Sequence, residues 1–161
     1  MALGIRPLAL FAALGSGAVL AAAFAFQYLG GLAPCQMCLW QRWPHAAALV
    51  IGAAVVALGA RAATLLGAAA MAVGAGLGLF HVGVEQGWWE GVTACASGTN
   101  LDGITADELM AQILNAPIVR CDEIPWSFAG LSMAGWNMVL SAALMAVWLA
   151  AFAGRQHQRR L

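Results

Sequence analysis

At 161 residues, with 63% of them hydrophobic and only 9% charged, the chain is too apolar and too charge-poor to be a soluble domain of its size, and it belongs in a bilayer. Seven basic residues, all arginine, balance seven acids, so the formal net charge is zero and nothing points to a nucleic-acid partner. That length allows a single integral membrane domain over residues 1–161.

Four segments free of Asp, Glu, Lys and Arg are each long enough to cross ~30 Å of hydrocarbon at ~1.5 Å per residue. They are Leu8–Leu29, Pro44–Ala60, Ala63–Val84 and Leu131–Phe152 (8–29, 44–60, 63–84 and 131–152), which makes the expected architecture an all-α membrane protein built as a four-transmembrane-helix bundle. The first segment follows Arg6 and has small residues from Ala21 to Ala25, as a secretory signal does. Its apolar run exceeds a normal signal core, and cleavage would leave an odd number of spans, so it reads as an uncleaved span. A short loop, 30–43, leads to the second span, which is near the lower length limit. Arg61 leaves room only for a very tight turn into the third, giving an antiparallel helix hairpin. Gly15 and Gly17 in the first span and Gly74, Gly76 and Gly78 in the third permit the close backbone approach of a tight bundle.

A long loop, 85–130, precedes the fourth span, and a loop of that length is expected to hold an element of its own. Thr105 and Glu108 in T-A-D-E form a capping-box pattern, and Ile104, Met110, Ile113 and Leu114 recur at helical spacing until Pro117 ends the run. The expectation is a short surface helix, resting on the membrane through that apolar stripe or packed against the bundle.

Charge orients the bundle. An even number of spans puts both termini and the Arg61 turn on one side, with Arg6, Arg61, Arg155, Arg159 and Arg160 and no acid. The other side holds Glu85, Glu90, Asp102, Asp107, Glu108, Asp122 and Glu123, with only Arg42 and Arg120 as cations. Five arginines against two place the termini in the cytoplasm, so all four cysteines face outward. Trp40, Trp43, Trp88, Trp89, Trp126 and Trp136 fall near the outer ends of spans, where an aromatic belt sits; interfacial anchoring accounts for most of them.

The chemistry-bearing residues are on that outer side. Cys35 and Cys38 form P-C-Q-M-C just before the second span, and Cys95 and Cys121 bracket the expected surface helix. In an oxidising compartment two disulfides are expected. A bridge within a C-x-x-C closes so small a ring that it removes little unfolded-state entropy, and such rings are where thiol exchange is fast. A bridge from Cys95 to Cys121 would close about 27 residues and stabilise by about 3 kcal/mol, so stapling and redox function coexist there. Zinc is the competing use of four cysteines, but Cys95 and Cys121 are not a close pair and the compartment opposes free thiolates, so no metal is expected. Arg42, four residues after Cys38, shares its face if the second helix begins early; there it would favour a thiolate and donate to an electron-rich carbonyl, and otherwise it is a snorkelling interfacial arginine. His45, His81 and Glu85 lie near outer helix ends and are either quinone or proton-transfer partners or plain interfacial groups. Arg120 either tunes Cys121 or pairs with Asp122 or Glu123.

These residues resemble the DsbB family of disulfide bond formation proteins. The match runs over nearly the whole chain: four spans, a C-x-x-C then Arg42 before the second, G-V-E-Q-G-W-W-E-G ahead of Cys95, and A-P-I-V-R-C-D-E-I-P-W-S-F-A-G-L-S-M-A-G-W-N from Ala116 to Asn137. The resemblance implies a bacterial inner-membrane thiol oxidase that takes electrons from a periplasmic DsbA-like thioredoxin-fold protein and reduces ubiquinone or menaquinone, a chain that also serves as a general example of kinetic oxidation. It implies that Cys95 is attacked by the partner, that Cys121 then attacks Cys35, and that Cys38 is left as a thiolate beside the quinone with Arg42 stabilising it. His81 and Glu85 are further candidates for the quinone site.

Two other readings compete. A relative of vitamin K epoxide reductase would place its C-x-x-C at a late helix, whereas here it precedes the second span. A transporter or scaffold with stapled loops would carry polar or broken-helix sites at midplane, and these spans hold no charged residue.

Overall fold

A computed structural model describes residues 4–91 and 119–154, together with Thr105, Asp107 and Met110. Its helices are α1 (Ile5–Tyr28), α2 (Gln36–Leu58), α3 (Ala63–Glu85) and α4 (Met133–Ala153). A small antiparallel hairpin, β1 (Ser127–Phe128) and β2 (Leu131–Ser132), leads into α4, with Ser127 opposite Ser132 and Phe128 opposite Leu131. Among the described residues, α1, α3 and α4 are long and apolar enough to cross a membrane. The chain is therefore a helical multi-pass membrane protein. The second helix has 23 residues but does not meet the same measure, because Gln36, Gln41, Arg42 and His45 crowd its first ten positions.

Local chemistry sets the helix ends. Cys35 is the N-cap of α2, its Sγ accepting a hydrogen bond from the Cys38 N–H at 3.2 Å. The helix thus begins at Gln36, ahead of the expected span at Pro44, and the preceding loop is shorter than its 30–43 reading; Pro44 is accommodated inside the helix. At the far end Gly59 takes a left-handed φ of 67° and returns its N–H to Val55 O, so the chain reverses at once into α3. Thr64 Oγ1 donates to Arg61 O at 2.7 Å across that turn. Ser132 caps α4 by accepting from the Gly135 N–H.

Sequence reading missed the hairpin. Its two central residues, Ala129 and Gly130, have φ of 51° and 78°, the positive pair that a two-residue hairpin turn of the I′ kind requires; glycine does this freely and alanine at a cost of order 1–2 kcal/mol. Strands this short leave no alternation to read. The expected surface helix falls outside the described residues except for Thr105, Asp107 and Met110, the last two of which are helical.

The bundle packs α3 on α4 and α1 on α2, with α2 against α3 and α1 against α4. Its core holds Ala9, Ala12, Ala48, Val55, Met71, Leu144 and Trp148. Glycine divides by face: a Cβ on Gly78 would meet the Met138 backbone at 2.9 Å and one on Gly67 would strike the Trp148 ring at 2.5 Å, whereas Gly76 faces open space. Arg61 Nε donates to Phe152 O, so the α2–α3 turn and the end of α4 share the end of the bundle opposite the cysteines.

Candidate functional site

Three of the four cysteines meet at the other end. Capping places the Cys35 sulfur beside the first turn of α2, and three residues on, Cys38 Sγ accepts a hydrogen bond from the Cys35 thiol at 2.9 Å. Cys35, Met37 and Val84 are buried together with Cys121, and Cys38 and Val119 pack against them. Cys35 lies outside the apolar spans; the hydrogen bond it donates to Cys38, reinforced by burial, pushes its thiol up to about 12. The proton therefore stays on Cys35, and the accepting sulfur of Cys38 is the one suited to carry negative charge.

His81, on α3, ties this cluster together. The Gln41 side-chain nitrogen donates to His81 Nδ1 at 2.7 Å, which leaves the ring proton on Nε2. That Nε2 lies 3.2 Å from Cys121 O, to which it donates, and 3.7 Å from Cys35 Sγ. One imidazole thus spans the C-x-x-C and the segment entering from the long loop. The Cys35 and Cys38 sulfurs and a His81 nitrogen lie within 4.8 Å of one another, a spacing that also suits a soft cation.

One turn further along α3, Glu85 accepts a hydrogen bond from the Ser132 hydroxyl, which is itself the N-cap of α4. Glu85 therefore anchors the hairpin side of the bundle and does not line the cavity described next. Arg120 pairs with Asp122, through Nε at 3.0 Å and Nη2, and reaches Glu123 at 3.7 Å. Of the two roles open to Arg120 in the sequence, pairing with the acids is the one seen; the guanidinium holds the exposed Asp122 carboxyl below its ordinary value. Cys95 lies outside the described residues.

Beside the cysteines a cavity of about 410 Å³ opens between α1, α2 and α4. Its walls are mostly apolar, from Val19, Leu20, Phe26 and Leu140 among others, and an aromatic rim of Phe26, Trp126, Phe128 and Trp136 edges it. Trp136 Nε1 donates to Phe128 O at 3.0 Å, fastening the rim to the hairpin. The polar groups on its walls include Cys38, Gln41, Arg42 and His45 on α2, with His81 on α3 and Asn137 on α4. The early start of α2 sets Cys38, Arg42 and His45 at spacings of four and three, along one face. Arg42 is held with its Cζ 4.8 Å from the centre of the Phe24 ring.

Of the residues singled out from sequence, Cys35, Cys38, Cys121 and His81 converge, and Arg42 joins Cys38 on the cavity wall. Gln41 and Asn137 were missed. Gln41 was legible in principle, since it lies three residues after Cys38 on the same helix; Asn137 comes from α4, and no local pattern links it to α2.

A family model described as disulfide bond formation protein DsbB matches residues 5–151. The chain is 29% identical to disulfide bond formation protein B of Azoarcus sp. strain BH72, over 89% of this chain and 91% of that one. It is 36% identical to the protein of that name from Methylococcus capsulatus, over 76% and 78%, and 30% identical to the one from Nitrosococcus oceani, over 81% and 82%. No solved structure gives a significant match.

Proposed function

The chain belongs to the DsbB family of disulfide bond formation proteins, and from that premise we propose that it is a membrane thiol oxidase that reoxidises a periplasmic DsbA-like dithiol protein and delivers the electrons through two disulfides to a membrane quinone. The observation that carries this reading is the gathering of Cys35, Cys38, Cys121 and His81 at one end of the bundle, with Cys38 also lining an apolar cavity.

The exchange runs in three steps, each making one S–S bond and breaking another. A thiolate of the partner attacks Cys95, forming a mixed disulfide and breaking the Cys95–Cys121 bond, so that the electron pair leaves on Cys121. Cys121 then attacks Cys35, breaking the Cys35–Cys38 bond and leaving the pair on Cys38, while the partner's second thiol resolves the mixed disulfide. His81 Nε2, within reach of Cys35 Sγ and bonded to Cys121 O, steadies the approach of the two segments. Arg42 supplies positive charge one turn from Cys38, which favours the thiolate.

The cavity fits a quinone on two counts: its walls suit an apolar ring and tail, and Arg42, which can donate to a carbonyl oxygen, lies on its wall along the same helix face as Cys38. Cys38, Arg42 and Asn137 would hold it, and when bound it would supply a two-electron, two-proton sink. A DsbA-like partner is itself strongly oxidising, near −120 mV in general, so a sink of this kind is what net flow requires. The arginine bias sets both termini in the cytoplasm and the cysteines in the periplasm.

The test is quinone reduction by the purified protein in detergent, with a reduced DsbA as donor, comparing wild type with Cys38→Ser and Cys95→Ser. Turnover by wild type, loss in both variants, and a mixed disulfide still forming through Cys95 in Cys38→Ser are the expected results. A wild type that leaves the quinone oxidised with every donor tried would overturn the reading.

A further inference from the structure

We propose that His45 is a hydrogen-bond acceptor for the hydroxyl of a reduced quinone, so that the cavity holds the hydroquinone form more tightly than the quinone. This rests on the reading that the cavity takes a quinone. The residue is 1% exposed and lies on the cavity wall.

Its tautomer is set by neighbours that leave no choice. Asn137 Nδ2 donates to Gly74 O at 3.4 Å, and a carbonyl can only accept, so the amide oxygen of Asn137 is the atom turned toward His45. That oxygen also can only accept, and it lies 3.0 Å from His45 Nε2. The ring proton is therefore on Nε2, where Ser141 Oγ at 3.3 Å provides a second contact. Nδ1 is left as a bare lone pair, buried and without a partner.

A buried lone pair is satisfied by a donor. A quinone carbonyl offers only further lone pairs, whereas a hydroquinone hydroxyl donates, so Nδ1 discriminates between the two oxidation states. Arg42 has the opposite character, donating only, and lies three residues earlier on α2, about 4.5 Å along the helix axis. Both residues line the cavity, Arg42 beside the thiols and His45 deeper in the bundle. Because Asn137 and Ser141 are both on α4, the preference depends on the α2–α4 packing and not on α2 alone.

The experiment titrates purified wild type and His45→Leu in detergent with ubiquinone-1 and with ubiquinol-1, followed by tryptophan fluorescence. The expected result is about a tenfold loss of ubiquinol affinity in His45→Leu, the size of one buried hydrogen bond, with ubiquinone affinity changed less than about twofold. Equal losses for both ligands, or no loss, would overturn the proposal while leaving the quinone reading intact. Binding of neither ligand to wild type would overturn both. A second measurement avoids any folding defect: ¹⁵N spectra of wild-type His45 are expected to show Nδ1 unprotonated without ligand and shifted by ubiquinol but not by ubiquinone. A protonated Nδ1, or the same shift with both ligands, refutes the assignment.

Discussion

Cys35 and Cys38 differ by three positions and by their place in one hydrogen bond, and that difference is large enough to measure. In the reduced protein the Cys35 thiol is raised from 9.0 to about 12, first by the hydrogen bond it donates to Cys38 and then by burial. Only thiolates alkylate, so at pH 8 the reactive fraction of Cys35 falls below that of an ordinary cysteine by on the order of a thousandfold, ten for each unit. Since the folded value lies above 9.0, the folded reduced protein holds this proton more tightly than the unfolded chain; the resulting stabilisation is present below 9.0 and is lost as pH rises toward 12. The assay is timed alkylation with iodoacetamide across pH 7 to 10, read by peptide mass spectrometry. Cys38 is expected to react first, with Cys35 protected and its rate still climbing above pH 9. Burial alone would also protect Cys35, so the deciding variant is Cys38→Ala, which removes the larger cause and should raise the Cys35 rate at pH 8 by tenfold or more. An unchanged rate in Cys38→Ala, or equal rates for the two cysteines in wild type, would refute the reasoning.

The glycines of α3 provide a stability pair. Gly78→Ala places a methyl 2.9 Å from the Met138 backbone and should cost about 1–3 kcal/mol, whereas Gly76→Ala meets nothing and should be neutral or gain up to about 1 kcal/mol from helix propensity; unfolding of both in mixed micelles measures this. Equal behaviour of the two would mean that α3 and α4 do not approach at Gly78. In the loop, Arg120→Ala removes the partner that holds Asp122 below its ordinary 3.8, so an NMR titration should find that carboxyl shifted back up toward 3.8. An Asp122 titration that does not move would assign the shift to another group.

Much of the fold was legible because bilayer thickness turns composition into length: long runs without charge read directly as helices, and α1, α3 and α4 follow them closely. The start of α2 was less legible, since polar residues from Gln36 to His45 hide a helical turn that depends on Cys35 acting as its cap. The C-x-x-C, Arg42, His81 and Cys121 were all visible in the chain, because their spacing along one helix, or their nearness to a helix end, is itself a local property.

What the sequence determined by itself, then, was the apolar helical character, the family resemblance and the residue types that bear the chemistry, each of which rests on order along the chain. The tertiary structure alone decided that His81 bridges Cys35 and the Cys121 backbone, that Glu85 accepts from the hydroxyl that caps α4, and that Gly78 but not Gly76 is a contact. It also decided that Asn137 fixes the proton of His45, a residue that local reading left as plainly interfacial or a partner of unstated role. Each of these joins residues 40 or more positions apart, or depends on which face of a helix meets its neighbour. The direction in which α2, α3 and α4 turn their faces is set by packing summed over the whole bundle, and no window of sequence contains that sum.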